Sequence, residues 1–197
     1  MKKFLIGVGI IAVIILAIVL AFGGIYNSLV QGEEKVSESW AQVENVYQRR
    51  LDLIPNLVET VKGYAAHEEG TFQAVVEARS KATQPNLPAK AFNDPNALTQ
   101  FEQIQQGLSS ALSRLLVVVE QYPDLKANQN FLALQSQLEG TENRIAVERR
   151  RFNEVAREFN TNLRVFPNSF VAGMTGFQRK SYFAADEGAR IAPAVKF

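Results

Sequence analysis

The chain has 197 residues, 21 of them basic and 20 acidic, for a formal charge of +1. That length holds one domain plus an anchor. Removing Lys2 and Lys3 from the 21 basic residues leaves 19 against 20 acidic in the remainder, a net of −1 with no global field to gather nucleic acid. The absence of cysteine excludes disulfides, thiolate metal sites and a cysteine nucleophile. The single histidine, His67, offers too few nitrogen donors for a typical zinc site.

The first element is an uncharged run from Phe4 to Tyr26, after which the next charge is Glu33. As a helix it spans roughly 34 Å, enough to cross a hydrocarbon core of about 30 Å. A cleaved signal peptide is the competing reading. The run exceeds the roughly 7–15 residues of a signal-peptide core, and Ala21-Phe22-Gly23 lacks the small-x-small form of a cleavage site, so a retained transmembrane helix is preferred. Lys2 and Lys3 precede it, whereas Glu33, Glu34, Lys35 and Glu38 follow. The positive-inside bias then places residues 1–3 in the cytoplasm and the body, residues 27–197, outside it. Tyr26 suits the aromatic belt at the membrane surface.

Beyond the anchor the chain reads as helices. Val36, Trp40, Val43, Tyr47, Leu51 and Ile54 recur at steps of three and four, and the stripe keeps phase across Pro55. One long helix from about Glu33 to Glu68 is expected, kinked where Pro55 removes a donor and crowds the carbonyl of Leu51. A shorter helix over Thr71–Thr83 is expected to bury Phe72, Val75, Val76 and, at its end, Ala82. Pro85, Pro88 and Pro95 mark a connection over residues 84–95, and Asp94-Pro95 reads as an N-cap with proline in the first turn. The third helix, Pro95–Tyr122, carries Leu98, Phe101, Ile104, Leu108, Leu112, Leu115, Val119 and Tyr122 on one face. The fourth, about Leu125–Phe166, carries Phe131, Leu134, Leu138, Ile145, Phe152, Val155, Phe159, Leu163 and Phe166. Gly107 and Gly140 interrupt these helices and mark either a close crossing or a tolerated solvated turn. The tail, residues 168–197, is rich in aromatics, so a short helix near Ser169–Met174 and a segment packed over the bundle are expected. The fold class is therefore all-α: a transmembrane helix followed by an elongated antiparallel four-helix bundle with a packed C-terminal tail.

The stretch Arg49–Tyr64, RRLDLIPNLVETVKGY, resembles the signature of the LemA family of bacterial membrane-anchored proteins. A second resemblance lies in Thr141–Ile145, TENRI, with Arg149-Arg150 and Asn153 after it. A third is the closing pattern Phe166-Pro167, Gly176-Phe177, Tyr182-Phe183 and Pro193, Val195, Phe197. The resemblance implies this anchored helical build at the bacterial cell (inner) membrane. It brings no defined activity.

Polar residues occupy positions where the stripes should be dry. Thr141/Glu142 and Glu148/Arg149 fall on the stripe of the fourth helix, while Arg50 and Asn56 flank Leu51, Ile54 and Leu57. A buried charge is stable only when paired, so the first and fourth helices are expected to cross through complementary groups. The candidates are Arg49, Arg50, Asp52, Asn56, Glu59, Glu142, Asn143, Arg149, Arg150 and Asn153, in a structural network that sets register in preference to a ligand site. The competing reading has the long side chains snorkel to water beside the stripe.

Catalytic signals are weak. His67-Glu68-Glu69 lacks the second histidine of H-E-x-x-H, since position 71 is Thr71, and no glycine-rich phosphate loop occurs. Ser109-Ser110 has no base nearby in sequence, and Arg149-Arg150-Arg151 lies between acidic residues like an ordinary solvated helix face. The expectation is thus a non-enzymatic scaffold or adaptor with no catalytic residue, metal or cofactor. It would present its bundle to an unidentified membrane or envelope protein, with the lipid bilayer as its other partner. Self-assembly that shapes the membrane is the alternative, and a carboxylate-based enzyme or small-ligand binder a remote one. Oligomeric state is left open.

Overall fold

A computed structural model describes residues 1–83 and 91–184, with only the backbone of Lys3. Helix α1 runs without a break over Lys2–Lys62, 61 residues, or about 92 Å at 1.5 Å per residue. The apolar segment and the first bundle helix are therefore one rod. Its first part, through Leu20, exposes almost every side chain and is long and apolar enough to cross a membrane. From Leu29 onward one face is buried. Helix α1 stops at Lys62, short of Glu68, where Gly63 and a turn through Tyr64 and Ala65 take over.

Four further elements complete the bundle: α2 (Glu69–Ala82), a 3-10 turn (Ala91–Asn93), α3 (Pro95–Val119) and α5 (Gln129–Asn162). A one-turn helix α4 (Pro123–Lys126) joins α3 to α5, and α6 (Asn168–Thr175) follows. Cross-helix contacts fix the directions. Tyr47 meets Phe101 and Arg50 meets Gln105 and Ser109, so α3 runs parallel to α1. Arg50 meets Glu142 while Trp40 meets Phe152, so α5 is antiparallel to both. Arg79 reaches back to Leu51, so α2 descends.

Local chemistry explains the boundaries. Asp94 caps α3, its carboxylate accepting from the Asn96 amide at 2.8 Å. Helix α3 ends at Val119, before the expected Tyr122, because the residue ahead of Pro123 is driven out of helical geometry; Tyr122 has φ −120° and ψ 86°. The expected fourth helix divides at Asn128, whose side chain accepts from the Phe131 amide at 3.1 Å and opens α5. It also ends at Asn162, ahead of Phe166-Pro167.

The interior forms two hydrophobic clusters along the rod. The proximal one, nearer the apolar end of α1, holds Leu29, Val36, Trp40, Val43, Tyr47, Phe92, Phe101, Ile145, Phe152, Phe159, Val171 and Phe183. The distal one holds Leu51, Ile54, Leu57, Val61, Phe72, Val75, Leu108, Leu112, Leu115, Phe131 and Leu138. Helix α2 contributes only to the distal cluster. In the proximal half its place is taken by the 3-10 turn and the tail segment 177–184. The connection was expected to be a plain linker, yet Ala91 and Phe92 are core residues. Pro85 and Pro88 of that connection, and Pro193, Val195 and Phe197 of the closing pattern, lie outside the described residues.

Candidate functional site: a polar layer between two cores

The clusters part at one level of the bundle, between Tyr47 and Leu51 on α1, Phe101 and Leu108 on α3, and Leu138 and Ile145 on α5. Polar residues fill that gap on all three helices: Arg50, Gln105 with Ser109, and Thr141 with Glu142. Arg50 is 1 % exposed, the largest fully buried side chain in the molecule's described part. Its guanidinium donates to Glu142 Oε1 at 2.8 Å, to Ser109 Oγ at 2.9 Å and to Gln105 Oε1. The Glu142 side chain keeps 41 % of its surface in water, so one carboxylate face stays hydrated while the other meets the buried cation. Below the guanidinium lies the Tyr47 ring, 5.1 Å from its carbon. Burial raises the Tyr47 hydroxyl pKa above the usual tyrosine value, outweighing the opposing pull of Arg149 and Arg50.

A second polar cluster ties the tail to the bundle. Arg149 donates to Glu102 Oε1 of α3 at 2.9 Å and to the Ala184 carbonyl at 3.0 Å, with Phe183 stacked 4.9 Å from its guanidinium. Asn153 grips the Phe183 backbone from both sides, its amide donating to the carbonyl at 3.0 Å and its oxygen accepting from the N–H at 2.9 Å. One step nearer the apolar segment, buried Asn160 does the same to the Lys180 backbone, at 2.8 Å each way, and also donates to the Tyr182 hydroxyl. The buried Lys180 ammonium then joins Glu33 of α1 to Asn93 of the 3-10 turn.

Of the ten candidates from sequence, the structure brings Arg50 and Glu142 together in the central layer and Arg149 and Asn153 together at the tail. Arg49 sits at the edge, donating to Gln137 of α5 at 3.1 Å. Asp52 bonds within its own helix, accepting from Gln48 at 2.7 Å. The other four, Asn56, Glu59, Asn143 and Arg150, are exposed and make no side-chain contact with either cluster among the described residues. Helical geometry is the reason: Asn56 lies two residues past Ile54, and Asn143 two residues before Ile145, about 200° round from the buried stripe. Pro55 also faces solvent. The Leu51 carbonyl that it deprives of a helical donor accepts instead from Arg79 Nε at 3.1 Å. Tyr26 is half exposed, with its ring 5.9 Å from Phe177.

Sequence reasoning missed Gln105, Glu102, Asn160, Lys180 and Arg79. Gln105 had a legible signal, because it occupies the stripe slot between Phe101 and Leu108 where a second apolar residue belongs. Lys180 had none; a lysine in a tail of glycines and alanines reads as solvated.

Among the described residues no cluster of three or more histidines, cysteines and carboxylates could hold a metal. A groove of about 410 Å³ lies between α2 and α3, lined by Ala74, Ala78, Lys81, Gly107, Ala111 and Arg114, and it touches neither polar cluster.

Comparison with known proteins finds relatives along most of the chain. The magnetosome protein MamQ of Magnetospirillum gryphiswaldense is 28 % identical over 174 residues, 80 % of this chain and 64 % of that protein. MamQ 2 of Paramagnetospirillum magneticum is 27 % identical over the same shares of each chain. The chain thus spans just under two thirds of these magnetosome relatives. Protein LemA of Metamycoplasma hominis is 23 % identical over 165 residues, 84 % of this chain and 71 % of that protein. The family model described as LemA family matches residues 39–197, which takes in Arg50, Gln105, Glu142, Asn160 and Lys180 alike; the chain belongs to the LemA family.

Proposed function

We propose that this protein is a single-pass, membrane-anchored, non-enzymatic scaffold that presents its bundle to a partner protein at the membrane surface. The observation that carries this reading is the continuity of α1. One helix is both the apolar segment and the spine of the core, so no joint separates anchor from body. A bundle so mounted is held at a fixed attitude to the bilayer, which suits presentation of a surface. The anchor is residues 4–26 of the bacterial cell (inner) membrane, with residues 1–3 cytoplasmic and the body extracytoplasmic, as the lysines before the span favour. The Arg50 layer serves this role structurally. A buried ion pair between two apolar cores admits one register of α1 against α3 and α5, since sliding by a turn would strand the charge in hydrocarbon.

The test is photocrosslinking of the full chain in native membranes. Photoreactive residues replace Val76, Val117 and Val147, exposed apolar positions on α2, α3 and α5. A discrete adduct with one other protein at one of these faces is the expected result and locates the contact. A ladder of self-adducts would instead establish lateral assembly, the reading in which the protein shapes the membrane. Absence of adducts at all three faces, with the chain shown to be in the membrane, would overturn both.

A further inference from the structure

Helix α6 is the element that the functional reading leaves unused. It lies against α1 just past the apolar segment: Val171 and Ala172 are buried in the proximal cluster, against which Phe22 and Ile25 of α1 also pack. Its other side is bare. Phe170 is 66 % exposed and Met174, one turn on, 65 %; Phe166, in the turn before the helix, is 87 % exposed, and Val165 beside it is also exposed. Large apolar side chains this open, contiguous in one place, mark an interaction surface.

Position and charge identify the occupant. Phe22 and Ile25 end the run that would sit in hydrocarbon, and Tyr26 touches Phe177 immediately after α6. The bare face therefore lies at the level where a membrane-spanning α1 emerges from the bilayer. Segment 164–184 contains Arg164, Arg179 and Lys180 and no acidic residue, and Arg164 and Arg179 are exposed. Apolar residues on one face with cations around them form the pattern of a helix lying in a lipid headgroup layer. Eight residues could not hold a membrane alone, but α6 is already carried there by α1.

We infer that α6, with Phe166, Phe170 and Met174 inserted, is a second membrane contact that lies in the interface and braces the bundle against the lipid surface. This inference rests on the reading that residues 4–26 span the bilayer. Its consequence is mechanical: two points of attachment, one spanning and one lateral, restrict tilting of the rod toward the side opposite α6.

The cysteine-free sequence allows a clean test with the full chain in vesicles of phosphatidylethanolamine and phosphatidylglycerol. Single cysteines at Val13→Cys, Met174→Cys and Gly140→Cys carry a spin label, and relaxation by oxygen, which concentrates in lipid, is compared with relaxation by a water-soluble nickel complex. The expected result is an oxygen-to-nickel ratio several-fold higher at positions 13 and 174 than at 140. Adding Phe170→Glu to Met174→Cys should bring position 174 down toward the value at 140. A lipid-exposed position 13 with a water-exposed position 174 would overturn the interfacial helix and leave the span intact. A water-exposed position 13 would overturn the span itself. A label at 174 shielded from both reagents would mean that protein, not lipid, covers α6, and would also overturn the proposal.

Discussion

Toward the apolar end of α1 the core is aromatic and closed by a non-helical strip, whereas toward the far end it is aliphatic and built of helices. In the proximal half Trp40 is the hub, with Phe92, Phe101 and Phe152 each at 5.5 Å between ring centroids and Phe183 stacked at 5.8 Å. Two of those five rings, Phe92 and Phe183, come from outside the long helices. In the distal half Leu and Val from α1, α2 and α3 interdigitate, and among the described residues Phe72 and Phe131 are the buried rings, with Tyr122 packed at the edge. The difference follows from what each half had available. Where α2 supplies a fourth helix, regular side chains on four stripes fill the interior. Where it is absent, an irregular strip must do so, and such a strip brings bare backbone N–H and C=O groups that need partners. Asn153 and Asn160 provide them. The polar clusters of the proximal half are thus a consequence of using the tail as a wall.

The sharpest way to break this comparison is to remove the hub of each half. Trp40→Ala should cost about 3–5 kcal/mol and Leu115→Ala about 2–5 kcal/mol, measured by chemical denaturation of the full chain in detergent micelles. The discriminating readout is hydrogen exchange at residues 177–184. Trp40→Ala should accelerate it, because Phe183 loses its stacking partner, and Leu115→Ala should leave it unchanged. Equal acceleration by both would mean that the halves are a single cooperative unit.

A smaller effect is expected at the boundary layer. Glu142→Ala removes the carboxylate paired with the buried Arg50 and should cost about 1–3 kcal/mol, less than a fully buried pair because Glu142 is partly hydrated. Arg50→Met combined with Gln105→Leu removes both the buried charge and its buried acceptor, and should cost no more than about 1 kcal/mol. If the double variant proves the more damaging, the layer stabilises the fold outright, and its role in selecting register loses its support.

The helical stripes were legible because burial on a helix leaves a period in the sequence. Trp40, Tyr47, Leu108, Leu115, Phe152 and Phe159 all lie where that period puts them. The Arg50–Glu142 pair was legible for the same reason, as two interruptions of the period on different helices. The tail was not. Lys180 and Phe183 are held by side chain-to-backbone bonds across 20 to 30 residues, and such bonds impose no spacing on the sequence. Division of the last long helix at Asn128 could have been read from its capping residue, but an unbroken apolar stripe on both sides hid it. The unbroken run of α1 from the apolar segment into the bundle was hidden too, since a change in the composition of a helix face does not interrupt its hydrogen bonds.

Glycine offers the finest test, because the two halves use it differently. Gly107 and Gly140, conspicuous inside their helices, have open space where a Cβ would go. Neither marks a close crossing. Gly32 on the proximal part of α1 does: a Cβ there would stand 3.0 Å from Phe159 Cδ2. Phe159 has little room to yield, being buried, edge-on to Phe177 and beside the Lys180 ammonium at 5.5 Å from its ring centroid. Alanine is favoured over glycine in a helix interior by about 1 kcal/mol, so Gly107→Ala and Gly140→Ala should each raise stability by roughly that amount. At Gly32 the same gain is set against displacement of a packed ring, and Gly32→Ala should be neutral or destabilising. Denaturation midpoints of the three variants decide the matter. A gain at position 32 equal to the other two would show that α1 and α5 can separate there at no cost, and that the proximal wall is looser than its ring packing implies.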